Sequence, residues 1–270
     1  VWTLDKKGLA AMTASFSAAV KCAFGKYDVV HFHAEGPCAA MWIPKMFGKH
    51  CVATVHGLDW QREKWKKGFG AKFIHWGEKM AVRFADEIIV LSRNVQEYFQ
   101  NTYSRKTVWI PNGVSRPQVA EADEICRQFS LEKDGYILFL GRLVSEKGVH
   151  YLIQAFRGVQ TDRKLVIAGG TSDTDGYIKQ LQEMAAGDER ILFTGFVQGR
   201  LLEELYSNAY AYVLPSGLEG MPLSLPEAMS YGNCCIVSDI PECTEVVEDR
   251  AVTFLKGDVQ DLQRCLQRIQ

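Results

Sequence analysis

Short apolar runs rich in β-branched residues alternate along the chain with longer amphipathic stretches. Buried strands and amphipathic helices produce these two patterns, so their regular alternation predicts parallel β-α-β units. In the first part of the chain the predicted strands are residues 28–33, 51–56, 87–91 and 107–110. The predicted helices of that part are residues 9–24, 37–47, 70–84 and 93–103.

The alternation stops at a turn sequence, residues 111–114, and resumes after a charged stretch that ends at Glu132. The second series predicts strands at 136–140, 164–168, 191–194, 210–214, 234–237 and 251–255, and helices at 149–156, 177–186, 201–207, 223–230 and 258–270. The pattern therefore predicts an α/β protein with two doubly wound parallel sheets, in domains 1–112 and 113–270. Such sheets bind ligands beyond the carboxyl ends of their strands.

Composition excludes several other classes of protein. The 270 residues are 47% hydrophobic with a formal net charge of -1, which is ordinary for a globular protein and gives no field that favours nucleic acid. The eight cysteines form no C-x-x-C pair, so we expect reduced, structural thiols in a cytoplasmic protein. No apolar run reaches 18 residues and no secretory signal pattern occurs, so no membrane span is expected.

A loop rich in glycine and proline joins the predicted strand 210–214 to the predicted helix 223–230. The first N–H groups of a helix have no partner within it, so a helix start of this kind favours an anion. Glu219 and Glu227 flank this loop as carboxylates that accept hydrogen bonds from sugar or ribose hydroxyls. The pattern alone leaves two interpretations open, a ligand site and an ordinary connection with solvated glutamates.

A second candidate ligand-binding loop, residues 141–148, follows the predicted strand 136–140. Gly141 lets the backbone approach a ligand closely. Arg142 supplies a planar fork for phosphate oxygens and Lys147 a point charge, a combination that suits a diphosphate leaving group. The alternative is a surface loop in which Arg142 pairs with Glu146.

Two further strand ends carry weaker candidates. Phe196 follows the predicted strand 191–194, where its ring suits stacking near a base, although a phenylalanine in this position is more often part of the core. His56 ends the predicted strand 51–56, where its ring suits a hydrogen bond to a sugar hydroxyl. The alternative for His56 is a structural histidine.

Two other features receive less favourable interpretations. His31 and His33 lie on one face of a predicted strand, but no third ligand stands at a readable spacing, so we expect no metal site. The basic segment 62–67, together with Trp60, interleaves aromatic and cationic residues. This segment fits either contact with an anionic membrane surface or a solvated helix face.

Four segments, taken in order, resemble the retaining glycosyltransferases of family 4, the group 1 glycosyltransferases. They are VHGLDWQ at residues 55–61, IPNGV at 110–114, GRLVSEKG at 141–148 and EGMPLSLPEA at 219–228. Each segment alone is weak, whereas the ordered set is specific and spans nearly the whole chain. The resemblance is greatest to bacterial members that build surface polysaccharides. It implies the GT-B fold of two Rossmann-like domains with a cleft between them, in which residues 1–112 would form the acceptor-side domain and residues 113–270 the nucleotide-sugar-binding domain.

The resemblance implies a role for each matching position. Arg142 and Lys147 would hold the donor diphosphate, and Glu219 would contact the donor sugar. His56 would reach the transferred sugar from the first domain. Transfer in this family is usually described as front-face, with no accepted enzymic nucleophile, so the two glutamates are not implied to act as the acid/base pair of a glycosidase.

Other positions are implied to bind the nucleotide sugar. Glu227 would accept hydrogen bonds from the ribose hydroxyls, and Phe196 and Val197 would lie near the base. Gly141 would border the phosphates. The amides of the helix start would lie beside the sugar and phosphate, at Gly220, Met221, Pro222 and Leu223. The resemblance implies neither a divalent metal nor a cofactor, because the cations take the place of the metal and the donor is a substrate.

The sequence also departs from the family. Members usually run well past this length, begin with a strand and a glycine-rich loop, and end with helices that return to the first domain. We therefore expect a chain that is incomplete at both ends. Pro226 stands where the family often has an apolar residue that can donate its N–H, so it is expected to shorten or kink the start of that helix.

Three functions remain open at the level of sequence. The first is a hexosyltransferase that moves a sugar, from a UDP-sugar or with less support a GDP-sugar, to a polysaccharide or lipid-linked acceptor at the inner face of the membrane. The second is a nucleotide-sugar epimerase on the same scaffold. The third is a non-catalytic module that binds the nucleotide sugar.

Overall fold

The computed structural model describes residues 2–4, 9–61, 69–170 and 175–270 of the chain. These divide into two compact units, Val1–Asn112 and Gly113–Gln270. The basic segment 62–67, for which the sequence suggests membrane contact, lies outside the described residues. Trp60, its described neighbour, is half-buried and stacks on His75 at a centroid distance of 5.2 Å.

The first unit contains a parallel sheet in which the strand order follows the chain, β1-β2-β3-β4. The strands are β1 Val29–His33, β2 His50–Val55, β3 Glu87–Val90 and β4 Val108–Trp109. The helices are α1 Ala10–Phe24, α2 Glu35–Cys38, α3 Trp42–Met46, α4 Phe69–Phe84 and α5 Arg93–Tyr103. Alternate residues of β1 are buried, and the apolar side chains of this unit form a core cluster of their own.

The prediction of one helix over residues 37–47 is wrong, because this stretch forms parts of two short helices, α2 and α3. Pro44 explains the break. In a continuous helix its nitrogen would have to donate to the carbonyl of Ala40, and proline has no N–H to donate. By beginning at Trp42, α3 places Pro44 in its first turn, where a missing N–H costs little.

A pair of carboxyl groups is buried in the first unit. Glu35 and Glu78 are both 0% exposed. Oε2 of Glu35 accepts the backbone N–H of Asp59 at 2.8 Å. Tyr98 and Tyr103 both donate their hydroxyls to Glu78. Burial, followed by the contact with Glu78, raises the pKa of Glu35 to about 10, so this carboxyl keeps its proton at neutral pH.

The second unit contains a parallel sheet of six strands in the order β10-β9-β8-β5-β6-β7. Its strands are β5 Tyr136–Leu140, β6 Lys164–Ala168, β7 Ile191–Gly195, β8 Ala211–Leu214, β9 Cys234–Ser238 and β10 Val252–Phe254. Its helices are α6 Glu124–Phe129, α7 Val149–Arg157, α8 Asp175–Ala185, α9 Arg200–Asn208, α10 Ser224–Ser230, α11 Pro241–Val247 and α12 Val259–Arg268. The central strands are buried on both faces, as expected for a parallel sheet covered by helices.

Two helices of this unit, α6 and α11, are absent from the sequence prediction. The first lies in the charged stretch before residue 132, and a distant carboxylate stabilises its start. Glu204 on α9 is 0% exposed and accepts the backbone N–H groups of Asp123 and Ile125 at 3.0 and 3.1 Å. Burial would raise the pKa of Glu204, but these N–H donors outweigh it and lower that pKa.

The predicted class, α/β with two parallel sheets, is confirmed. In the second sheet the strand order reverses between β5 and β8, which are neighbours although three helices and two strands separate them in the chain. Doubly wound sheets bind ligands beyond the strand ends at such a reversal. The described part of the chain contains no helix that is both long enough and apolar enough to cross a bilayer.

Candidate donor site

The loops that follow β5 and β8 are in direct contact at the reversal of the sheet. Gly217 donates its N–H to the carbonyl of Glu146 at 2.8 Å. Gly148 has a φ of +68°, and a Cβ at this position would lie 2.0 Å from the carbonyl oxygen of Pro215. Only glycine combines this backbone conformation with so close an approach. The two loops therefore form one continuous surface.

Lys147 and Glu219 form an ion pair on that surface. The Nζ of Lys147 lies 2.6 Å from Oε1 of Glu219, and the two side chains are only 13% and 7% exposed. The hydroxyl of Ser216 donates to the same carboxylate oxygen at 2.5 Å. The buried hydroxyl of Ser238 donates in turn to the carbonyl of Ser216 at 2.5 Å. Glu219 is thus held by two donors and neutralised by Lys147.

Arg142 belongs to the same loop as Lys147, and its side chain is exposed. The alternative in which it pairs with Glu146 is not observed, since Glu146 instead accepts a hydrogen bond from Ser145 at 3.4 Å. Within residues 2–4, 9–61, 69–170 and 175–270, the structure gives Arg142 no side-chain hydrogen bond or ion pair. Its guanidinium is accordingly available to an anion in solution.

The loops after β6 and β7 complete the carboxyl edge of the sheet around Gly169. Gly169 donates its N–H to the carbonyl of Gly195 at 2.8 Å. Its φ is +145°, and a Cβ at this position would lie 1.8 Å from the carbonyl oxygen of Gly141. Gly141, the first residue of the loop that carries Arg142, therefore packs directly on the backbone of Gly169 at the end of β6.

We expect Gly169→Ala to lower the free energy of unfolding by about 3 kcal/mol, because the methyl group must displace the Gly141 carbonyl and accept a strained φ. Urea unfolding measures this change. Gly187→Ala is the matched control, since Gly187 also has a positive φ, +84°, with nothing within 4 Å of its Cβ position. Equal losses in both variants would show that the close approach to Gly141 contributes nothing.

The predicted base-side residues differ in their surroundings. Phe196 directly follows β7 and is 76% exposed, so its ring is open to a ligand and is not part of the core. Val197 is buried among the apolar side chains of the second unit. Only the backbone of Val197 is therefore suited to face a base.

The loop from Gly220 to Leu223 leads into α10. Gly220 and Pro222 are buried, Met221 is partly exposed and Leu223 is exposed. Pro226 is the third residue of this helix, where its missing N–H leaves no helical hydrogen bond unmade. The helix begins at Ser224, one residue after the predicted start.

Glu227 lies on α10 and is partly exposed. The hydroxyl of Tyr206, on α9, donates to its Oε2 at 3.0 Å. One oxygen of the carboxylate is therefore held by Tyr206, and the residue itself stays partly exposed.

His56 belongs to a row of histidines at the carboxyl ends of β1 and β2. Its Nε2 lies 3.1 Å from Nδ1 of His33, whose ring packs against that of His31. His31 hydrogen-bonds Thr54 at 2.8 Å, and burial followed by the neighbouring rings of His33 and His56 lowers its pKa. In the described residues, no cluster of three histidine, cysteine or acidic side chains has the arrangement to hold a metal ion.

Sequence reasoning missed Ser216, Ser238, Tyr206 and Gly169. Gly169 had a usable signal, since a Gly-Gly pair directly follows a strand and marks a close backbone approach there. The two serines and the tyrosine gave no such signal, because their importance depends on which strands are neighbours.

Comparison with known families identifies the chain. The family described as "Glycosyl transferases group 1" matches residues 122–269, which is more than half of the sequence. This chain belongs to the group 1 glycosyltransferases. The family described as "Glycosyltransferase Family 4" matches residues 2–116. The resemblance inferred from the four sequence segments is therefore confirmed.

Relatives in this family are similar along most of the chain. The uncharacterized glycosyltransferase MJ1607 of Methanocaldococcus jannaschii is 29% identical over 243 residues, covering 83% of this chain and 60% of its own length. The O-antigen chain mannosyltransferase RfbU of Salmonella typhimurium is 29% identical over 198 residues, covering 71% of this chain and 53% of its own. The chain thus spans 60% or less of these relatives.

Solved structures show the same fold. Anabaena Alr3699/HepE, crystallised with UDP-glucose, superposes with a TM-score of 0.82 over 99% of this chain and 75% of its own, at 18% identity. The same protein with UDP and glucose gives a TM-score of 0.80 over 95% of this chain and 70% of its own. This member of the group 1 family therefore has the GT-B fold of these neighbours.

Proposed function

We propose that this chain carries the donor site of a retaining glycosyltransferase that uses a nucleotide-diphosphate sugar without a metal. The observation that carries the proposal is the cationic edge at the reversal of the second sheet. There the exposed guanidinium of Arg142 and the Lys147–Glu219 pair lie on loops that follow neighbouring strands. A diphosphate leaving group needs this kind of positive charge, because it gains negative charge as the sugar departs.

The pairing of Glu219 favours a binding role for this residue over a nucleophilic one. A carboxylate that already accepts from Lys147 and Ser216 is a poor nucleophile, since both donors withdraw charge from it. The same carboxylate has lone pairs left for a sugar hydroxyl. We therefore assign Glu219 to the donor sugar and Lys147 to the diphosphate.

The proposed reaction has a simple balance. The bond between the anomeric carbon and the diphosphate oxygen breaks, and the acceptor hydroxyl oxygen bonds to that carbon on the same face. The hydroxyl proton passes to the departing phosphate oxygen, so no side chain has to take it. Arg142 and Lys147 lower the barrier by stabilising the diphosphate as its charge grows.

The remaining roles follow the same assignment. We propose that Glu227 accepts the ribose hydroxyls, that Phe196 and the backbone of Val197 lie near the base, and that Gly141 borders the phosphates. The amides between Gly220 and Leu223 would lie beside sugar and phosphate. For His56 we propose contact with the transferred sugar.

For the substrates we propose a UDP-sugar, with a GDP-sugar as the less favoured donor, and a polysaccharide or lipid-linked acceptor at the cytoplasmic face of a membrane. A fold neighbour solved with UDP-glucose supports the donor. Relatives named as O-antigen chain mannosyltransferases, from Salmonella typhimurium and from Escherichia coli, support the acceptor class.

Arg142→Ala tests the diphosphate assignment. We expect its affinity for UDP or GDP to fall about 10- to 100-fold, because a charge-assisted hydrogen bond contributes about 1.5–3 kcal/mol. Isothermal titration calorimetry measures the change. Arg250→Ala is the control, since Arg250 is an exposed arginine of the same unit whose guanidinium lies 3.8 Å from Glu248. Unchanged nucleotide affinity in Arg142→Ala would overturn the assignment.

A further inference from the structure

The carboxylate of Glu227 is supported from inside the protein by a tyrosine that no sequence motif marks. Tyr206 lies on α9 and is 2% exposed. Its hydroxyl donates to Oε2 of Glu227 at 3.0 Å. Its ring stacks on Tyr231 with centroids 5.3 Å apart and an interplanar angle of 18°. The hydroxyl of this side chain is therefore held by a hydrogen bond and its ring by stacking.

The phenol of Tyr206 is suited to act as a permanent donor. Burial, followed by the neighbouring Tyr212 and Glu227, raises its pKa, so the hydroxyl keeps its proton throughout the physiological range. The carbonyl oxygen of Ser224 lies 3.3 Å from the same hydroxyl. The single proton is directed chiefly at Glu227, because a carboxylate is the stronger acceptor and lies closer.

This contact removes the freedom that a partly exposed glutamate otherwise has. A free glutamate side chain loses rotamer entropy when it binds a ligand, whereas one already held in place loses little. Oε1 accepts no hydrogen bond from the part of the chain that the structure describes, so it remains open to a ligand. The carboxylate is thus held through Oε2, while Oε1 of this partly exposed residue keeps its acceptor capacity.

We propose that Tyr206 is a positioning residue that orients Glu227 toward the two adjacent hydroxyls of the donor ribose. The inference rests on the proposed function, in which Glu227 binds the ribose. It adds that discrimination between a nucleotide with these hydroxyls and one without them depends on a buried phenol that does not touch the ligand.

The test compares UDP with 2′,3′-dideoxy-UDP, with the GDP pair run in parallel, by calorimetry on the full chain. We expect the wild-type protein to bind the natural nucleotide about tenfold or more tightly than its dideoxy analogue, because two charge-assisted hydrogen bonds are lost in the analogue. In Tyr206→Phe the ratio falls below about threefold, while the affinity for the dideoxy analogue stays unchanged.

Tyr136→Phe is the matched control. Tyr136 is a buried tyrosine of the same core whose hydroxyl donates to the carbonyl of Leu205 at 2.8 Å, so its removal also costs a buried hydrogen bond on α9. It should lower the melting temperature without altering the ratio. A Tyr206→Phe protein that keeps the wild-type ratio, or that loses affinity for both nucleotides equally, overturns the role of Tyr206 but leaves the proposed ribose role of Glu227 standing. A wild-type protein that does not discriminate overturns it together with the proposed ribose role.

Discussion

Lys147→Met is expected to lower kcat/KM for the donor about 100- to 1,000-fold, the cost typical of removing one preorganised group that stabilises charge in a transition state. Methionine is an unbranched side chain one atom shorter than lysine, and it removes the ammonium group with both its charge and its N–H donors. The loss should appear mainly in kcat, because the charge of the diphosphate grows as the bond to the sugar breaks. Steady-state kinetics with the preferred donor and acceptor measures it.

The substitution also leaves the carboxylate of Glu219 without its cation in a site that is only 7% exposed. We therefore compare it with the double variant Lys147→Met/Glu219→Gln, which removes both charges and should recover much of the lost stability. Lys179→Met, at an exposed position of α8, controls for the loss of a lysine. If the double variant restored activity along with stability, Lys147 would have only a structural role.

Raising the pH from 5 to 8 is expected to weaken the folded state of the wild-type protein relative to Glu35→Gln. The folded protein keeps a proton on Glu35, whose pKa is raised to about 10, whereas the unfolded chain loses that proton near pH 4.5. Between these two pKa values the equilibrium constant for folding therefore falls about tenfold per pH unit. The free energy of unfolding falls by about 4 kcal/mol over three pH units, and it stops depending on this proton above the folded pKa.

Glutamine imitates the protonated carboxyl. It accepts the N–H of Asp59 and donates to Glu78, so Glu35→Gln should match the wild type at pH 5 and exceed it at pH 8. Urea unfolding across this pH range measures the difference. The groups that face the pair are Asp59, His75, Cys38, Tyr98 and Tyr103, and they are common to both proteins. Glu97→Gln, at an exposed position of α5, is the control. If the free energies of unfolding of the wild type and of Glu35→Gln changed in parallel with pH, the folded protein would not retain a proton on Glu35.

The pattern of apolar residues was sufficient to predict the strands of the second sheet. Residues 136–140 are all apolar and lie between two glycines, so the predicted bounds coincide with those of β5. Short helices were harder. The helix α11 has only seven residues, too few for a helical period to emerge, although Pro241 at its start was a usable signal.

The sequence was enough to name the candidate residues of the site, but not the contacts among them. The loop 141–148 and the segment 219–228 were found because each follows a strand. Lys147 and Glu219 are 72 positions apart, and their ion pair depends on β5 lying next to β8. Strand order is set by how whole helices pack on the sheet, which no local pattern encodes. The same reason hides Tyr206, whose partner is 21 positions away on another helix.

The division of the chain at Asn112 and Gly113 has an evolutionary consequence. Every residue that we assign to the base, ribose and diphosphate, from Gly141 to Glu227, falls in the second unit, and only His56 falls in the first. If the proposed assignment holds, a gene that recombined at this junction would inherit all of the nucleotide-binding residues together. Under the proposed assignment, an exchange of the first unit alone would leave the nucleotide preference in place, because none of the residues assigned to the nucleotide lies there.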